Sequence, residues 1–181
     1  INKRSIQEEK SMNKILADMH THTIASGHAY ATLTEMCKEA ANKGLEIYGI
    51  TEHSSGIPGT CADIYFQNLR VIPRDLFGLD LRLGAEINII DYNGTLDLGQ
   101  EYIDRLDFVI AGIHSVCYKF GSKEENTAAI INAIKNPNVN IISHPDDGRC
   151  PLDYEALVQA AKEYHVLLEI NNNALRDKNR K

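Results

Sequence analysis

Three histidines fall within the stretch ILADMHTHTIASGHAYATL: His20 and His22 stand two apart at the end of an apolar run, and His28 follows six residues later. In an extended strand, residues i and i+2 project from the same face, so His20 and His22 can offer their imidazoles to one ion. Most of the other histidines obey a positional rule. His53 follows the apolar run of GITEH, His114 closes VIAGIH and His144 closes IISH, while Glu86 stands near the end of LRLGAEIN. Neutral imidazole nitrogens and carboxylate oxygens suit Zn²⁺, Mn²⁺ or Fe²⁺, and several converging ligands point to more than one ion. Nothing resembles the oxygen-rich loop of a calcium site. Any one of these histidines alone reads as a hydrogen-bonded structural residue. Their shared place at the ends of apolar runs does not. His165, in the turn before the last such run, breaks the rule and reads as structural.

The elements that must carry these residues alternate. Strands are expected over 15–19, 45–51, 81–88, 107–114, 139–144 and 166–172, each a run of β-forming apolar residues. Helices are expected over 32–43, 123–135 and 153–165. The first has Thr32 as N-cap, Glu35 three residues on and Gly44 as its stop. The second ends at Asn136-Pro137. Asn93-Gly94, between β-formers over 89–98, signals a hairpin. Strand–helix alternation gives an α/β protein with parallel strands, and the pattern fits an open doubly wound sheet as well as a barrel. In either, the carboxyl ends of the strands are where sites are built.

Bulk properties narrow the function. The chain of 181 residues, 43% apolar and 24% charged, has the size and balance of one globular domain. Its net charge of −6 and lack of a basic stripe argue against a nucleic-acid surface. No apolar run approaches the ~20 residues of a membrane span. Cys37, Cys61, Cys117 and Cys150 form no C-x-x-C pair and read as reduced thiols, which places the protein in the cytoplasm. No glycine-rich nucleotide loop or G-x-S-x-G nucleophile elbow is present. Residues 1–13 are polar and read as a leader or linker, leaving 14–181 as the domain.

The motifs DMHTHTIASGHAY, GITEHS, LRLGAEINI, VIAGIHS, IISHP and LEINN, in this order, resemble the PHP (polymerase and histidinol phosphatase) family, most closely its small YcdX-like phosphatase branch. The likeness runs from about Lys14 to Asn173. It implies a distorted TIM-like (β/α)7 barrel with up to three zinc ions at the carboxyl ends of its strands, Mn²⁺ or Fe²⁺ being alternatives. Carried over position by position, His20, His22 and Glu86 correspond to ligands of one ion. Glu86 bridges to a second held with His114 and His144, and His28 and His53 serve a third. The family's closing D-x-H motif has no counterpart, so the barrel is expected to stop after about six strands and the domain to be incomplete at its carboxyl end. Glu52 replaces the aspartate common beside the His53 position.

The chemistry implied is hydrolysis of a small phosphomonoester by metal-activated hydroxide, with no covalent enzyme intermediate. A phosphodiesterase or exonuclease, and a non-catalytic metal-stabilised module, are the alternatives. Asp18 and Glu52 are candidates to orient the imidazoles. Arg70, Arg74 and Arg149 are candidates to grip substrate phosphate, though Arg70 and Arg74 read equally well as exposed surface residues.

Overall fold

A computed structural model describes residues 15–171. The expected polar leader over 1–13 lies outside this range, as do the residues after 171. Six strands run β1 Ala17–Asp18, β2 Ile47–His53, β3 Asp80–Asn88, β4 Phe108–Gly112, β5 Ile141–Ile142 and β6 Leu167–Leu168. They pair in parallel and in simple sequence order, β1 to β6. Consecutive order leaves no point where the strand sequence reverses, so the doubly wound alternative is excluded. The sheet is a curled half-barrel of the TIM-like kind.

Helices α1 Leu33–Asn42, α2 Ile64–Asn68, α3 Gln100–Ile103, α4 Lys123–Ile134 and α5 Tyr154–Tyr164 fill the crossovers. The Thr32–Glu35 capping box starts α1, and Gly44 follows it at φ 77. A second box, Ser122 with Glu125, starts α4. His165 ends α5 in the left-handed conformation, its N–H on the Ala161 carbonyl, which is the structural role expected of it.

The two long strands are covered on both faces, as a parallel sheet requires. Six of the seven residues of β2 and seven of the nine of β3 are buried, with Ile50, Leu81, Leu83 and Ile87 at the centre. Their register sets His53 beside Glu86. Burial on this scale fixes the register, because a slip by one residue would turn Glu86 into the core.

Two expectations need correction. β1, β5 and β6 are only two residues long. Side chains and turns take up the flanking backbone: the Asn140 side chain accepts the Val109 N–H and Glu169 accepts the His144 N–H. The Asn93-Gly94 turn forms with Gly94 at φ 78, but only a single antiparallel bridge, Ile89 to Leu96, flanks it. The Asp91 carboxylate accepts the N–H groups of Asn93 and Thr95, diverting donors that a longer ladder would need.

Candidate metal centre

Glu86 occupies the centre of the mouth at the carboxyl ends of the strands. It is 1% exposed. Its Oε1 lies 3.2 Å from His114 Nε2 and 3.0 Å from His144 Nε2, and these two nitrogens are 3.2 Å apart. Its Oε2 lies 3.0 Å from His20 Nε2 and 3.2 Å from His22 Nε2, themselves 3.2 Å apart. His53 Nδ1 is 3.1 Å from the same Oε2. Each oxygen therefore faces its own nest of imidazoles.

The donors fit divalent ions. Tetrahedral coordination at about 2.0–2.1 Å puts neighbouring ligand atoms roughly 3.3 Å apart, close to the separations within each nest. His53 Nδ1 is buried and, despite its short distance to Glu86, makes no hydrogen bond among the described residues. A ring nitrogen sealed from water without a bonding partner is costly unless a cation takes its lone pair. Gly112, at the end of β4, completes the fit: a Cβ there would strike Ser143 Oγ and come within 3.4 Å of Cε1 of both His114 and His144. His22, His28 and His53 form a further group able to hold an ion, their rings 4.4–5.1 Å apart.

His20 and His22 converge by a different route from the one the spacing suggested. β1 ends at Asp18, so both lie in the loop beyond it rather than on one strand face. His28 follows the turn 24–26 and Gly27, whose φ of 75 and contact with Gly59 admit no side chain. His28 is exposed, at the rim of the group.

Charges in the cluster are strongly coupled. Burial disfavours the charged form of His20, but its bonds to Glu169 and Glu86 outweigh this and raise its pKa to about 10. Burial takes His53 down to about 3, with His22, His114 and His28 opposing its charge and Glu86 unable to compensate. Burial works against ionised Glu86, yet bonds from His114, His144, His20 and His22 hold it well below the usual carboxylate range. Loading an ion would release the protons held on the coordinating nitrogens.

Behind the ligand atoms stands a second set of contacts. Ser26 Oγ donates to Glu52 at 2.5 Å and meets His22 Nδ1 at 3.0 Å, so Glu52 acts on His22 through Ser26. Glu52 is 1% exposed and also accepts the N–H and hydroxyl of Thr23. Asp18 does not orient an imidazole. It is exposed and, among the described residues, accepts only the His20 backbone N–H, at 3.4 Å, because the chain leaves the strand just after it. The carboxylate on His20 Nδ1 is Glu169, at 2.8 Å. Glu169 falls inside the strand expected over 166–172 and drew no separate notice, although a carboxylate near the end of a strand was the signal at Glu86.

A cleft of about 540 Å³ opens over the cluster, walled by Val116, Phe120, Leu152 and Asn171 among others. Arg149 lines it, with its guanidinium on Asp147. Arg70 and Arg74 do not. Arg70 is exposed in the turn 69–71. Arg74 binds Asp107 at 2.7 Å and the carbonyls of Leu69 and Ile72, beside the amino end of β4, away from the mouth.

This fold and cluster define a class, and comparison with known proteins places the chain within it. The chain belongs to the PHP domain family, which it matches over residues 18–175. It is 49% identical over 161 residues to a protein of Acetivibrio thermocellus named a probable phosphatase, covering 89% of this chain and 67% of that one. It is 49% identical over 165 residues to a probable phosphatase of Caldicellulosiruptor saccharolyticus, covering 90% and 69%. The chain thus spans about two thirds of the length of these relatives. Its fold is similar to that of a histidinol phosphate phosphatase from Lactococcus lactis, crystallised with zinc, L-histidinol and phosphate: TM-score 0.60, 20% identity, 91% of this chain and 76% of that one. A second similar fold is the putative histidinol phosphatase of Listeria monocytogenes, at TM-score 0.60 and 17% identity, covering 88% and 83%. No helix among the described residues is long and apolar enough to cross a membrane.

Proposed function

We propose that this protein is a metal-dependent phosphatase that hydrolyses a small phosphomonoester at a multinuclear site of zinc type. The observation that carries the reading is Glu86, one buried carboxylate whose Oε1 faces two imidazoles and whose Oε2 faces three others. The probable phosphatases it resembles at 49% identity support the reaction class. The zinc-containing histidinol phosphate phosphatase of similar fold supports the choice of metal.

His20, His22 and Glu86 would hold one ion, Glu86, His114 and His144 a second, and His28 and His53 a third. Bound divalent ions supply an acidified water and positive charge against the phosphoryl oxygens. The protein's own part is preorganisation. Glu86 fixes the spacing between the nests, and Ser26 with Glu52 sets the His22 ring. Arg149, held by Asp147, lines the same cleft and would offer its guanidinium to the substrate phosphate. Val116, Phe120 and Leu152 would give the organic part of the substrate an apolar wall to lie against.

The test is hydrolysis of an aryl phosphate after reconstitution with Zn²⁺ or Mn²⁺. Glu86→Gln is expected to lower turnover at least ~100-fold, the scale of losing a centrally placed electrostatic group. Turnover that survives both chelation and Glu86→Gln refutes the proposal. Release of nucleotides from single strands without monoester turnover would reassign the reaction.

A further inference from the structure

We propose that Glu169 is a positioning residue that aligns one imidazole from each of the two nests around Glu86. The inference rests on the reading that these nests hold divalent ions. Glu169 lies one residue past β6, and its two oxygens reach in different directions. Oε1 meets His20 Nδ1 at 2.8 Å, from the loop after β1. Oε2 accepts the His144 N–H at 2.7 Å, from the end of β5, and an Asn171 amide hydrogen at 3.3 Å.

Each contact has a definite effect. A carboxylate can only accept, so the His20 proton in this bond sits on Nδ1, and on loading it is Nε2 that gives up its proton and offers its lone pair to the ion. That lone pair points at Glu86 Oε2 and His22 Nε2, where an ion would sit. His144 has φ 34, in the left-handed region that side-chain-bearing residues rarely adopt. The bond from its N–H to Glu169 holds the peptide in that conformation, and its Nε2 arrives 3.0 Å from Glu86 Oε1.

Both nests thus depend on the same carboxylate from behind, as they share Glu86 in front. Asp18 does not take its place: among the described residues its carboxylate is hydrogen-bonded only to the His20 backbone N–H. Carboxylates that orient metal-bound imidazoles typically contribute ~10–100-fold to metal affinity.

The experiment compares the full chain with its Glu169→Gln and Glu169→Asp variants. Zinc affinity is measured by competition with a chromophoric chelator, ion count by mass spectrometry of the loaded protein, and the His20 ring by nitrogen-15 NMR. Wild type is expected to bind at least two ions with His20 as the Nδ1–H tautomer. Glu169→Gln should weaken both ions ~10–100-fold. Glu169→Asp, too short to serve both partners, should fall between. The Arg74→Met variant, destabilised elsewhere, should keep wild-type affinity and so separates positioning from general loss of stability. Wild-type affinity in Glu169→Gln overturns the proposal, as does loss confined to one ion. An Nε2–H tautomer for His20 in the loaded wild type overturns it without recourse to any variant. Failure of wild type to bind zinc at all sinks the metal reading itself, a result distinct from the others.

Discussion

Stripping the ions should loosen the whole domain, by an amount the geometry sets. On the proposed reading two nests share Glu86 and hold one ion each in the folded chain, and the unfolded chain, with those side chains spread from His20 to His144, would bind them far less well. At free zinc 100-fold above the dissociation constant, each site stabilises the fold by about 2.7 kcal/mol. Two sites contribute about 5 kcal/mol. For a domain of this size the melting temperature moves roughly 2–4 °C per kcal/mol, so chelation should lower it by about 10–20 °C. Differential scanning fluorimetry with zinc and with excess chelator measures the gap. His144→Gln, which disables only the Oε1 nest, should retain about half of the zinc-dependent shift. Glu86→Gln should retain almost none, because the amide lacks the negative charge that both nests share and replaces one of the two facing oxygens with a nitrogen. Equal melting temperatures with and without chelator, or equal residual shifts in the two variants, would refute the shared-carboxylate arrangement.

Three further outcomes follow from other parts of the molecule. Arg74→Met should destabilise the fold by about 2 kcal/mol, the scale for charged hydrogen bonds, while zinc stoichiometry stays at the wild-type value by mass spectrometry. Gly112→Ala should cost about 1–3 kcal/mol by overpacking, because the new methyl meets Ser143 and both rings of the Oε1 nest. Its zinc titration should lose that ion before the one at His20 and His22. Burial pushes the Cys117 and Cys150 thiols up to about 11 from 9.0. Between these values the unfolded chain sheds protons that the folded chain keeps, so stability should fall as pH rises from about 9 to 11. Denaturant melts across that window should show the decline, and Cys150→Ser should reduce it while Cys117 keeps its share.

Much of the site could be read along the chain because parallel α/β folds gather strand ends at one mouth. That rule anticipated that His53, Glu86, His114 and His144 would meet, without knowledge of curvature. It succeeded for His20 and His22 for a partly wrong reason, since the strand ends two residues before His20 and a loop brings the rings together. The same over-long strand misassigned Asp18, whose i−2 relation to His20 has meaning only in extended chain. Glu169 and Ser26 were missed because their partners lie 149 and 4 residues away, one contact crossing the sheet and the other hidden in a turn. Asp97 left no signal at all. It sits in the supposed hairpin, yet accepts from Ser54, Gly56 and Asn88 and so anchors the turn that follows His53. The arginines show the limit of charge as a guide: Arg74 leads toward the mouth in sequence and away from it in space.

Among the described residues β1 and β6 are the outer rails of the curled sheet, each held to its neighbour by two ladder positions. A ring-to-carboxylate bond, His20 to Glu169, spans from one rail to the other at the mouth like a buckle. On the proposed reading, an ion drawing on the far nitrogen of His20 would strengthen that bond and so tie the two rails more firmly. Amide exchange along both rails should slow together on loading, though neither rail touches an ion.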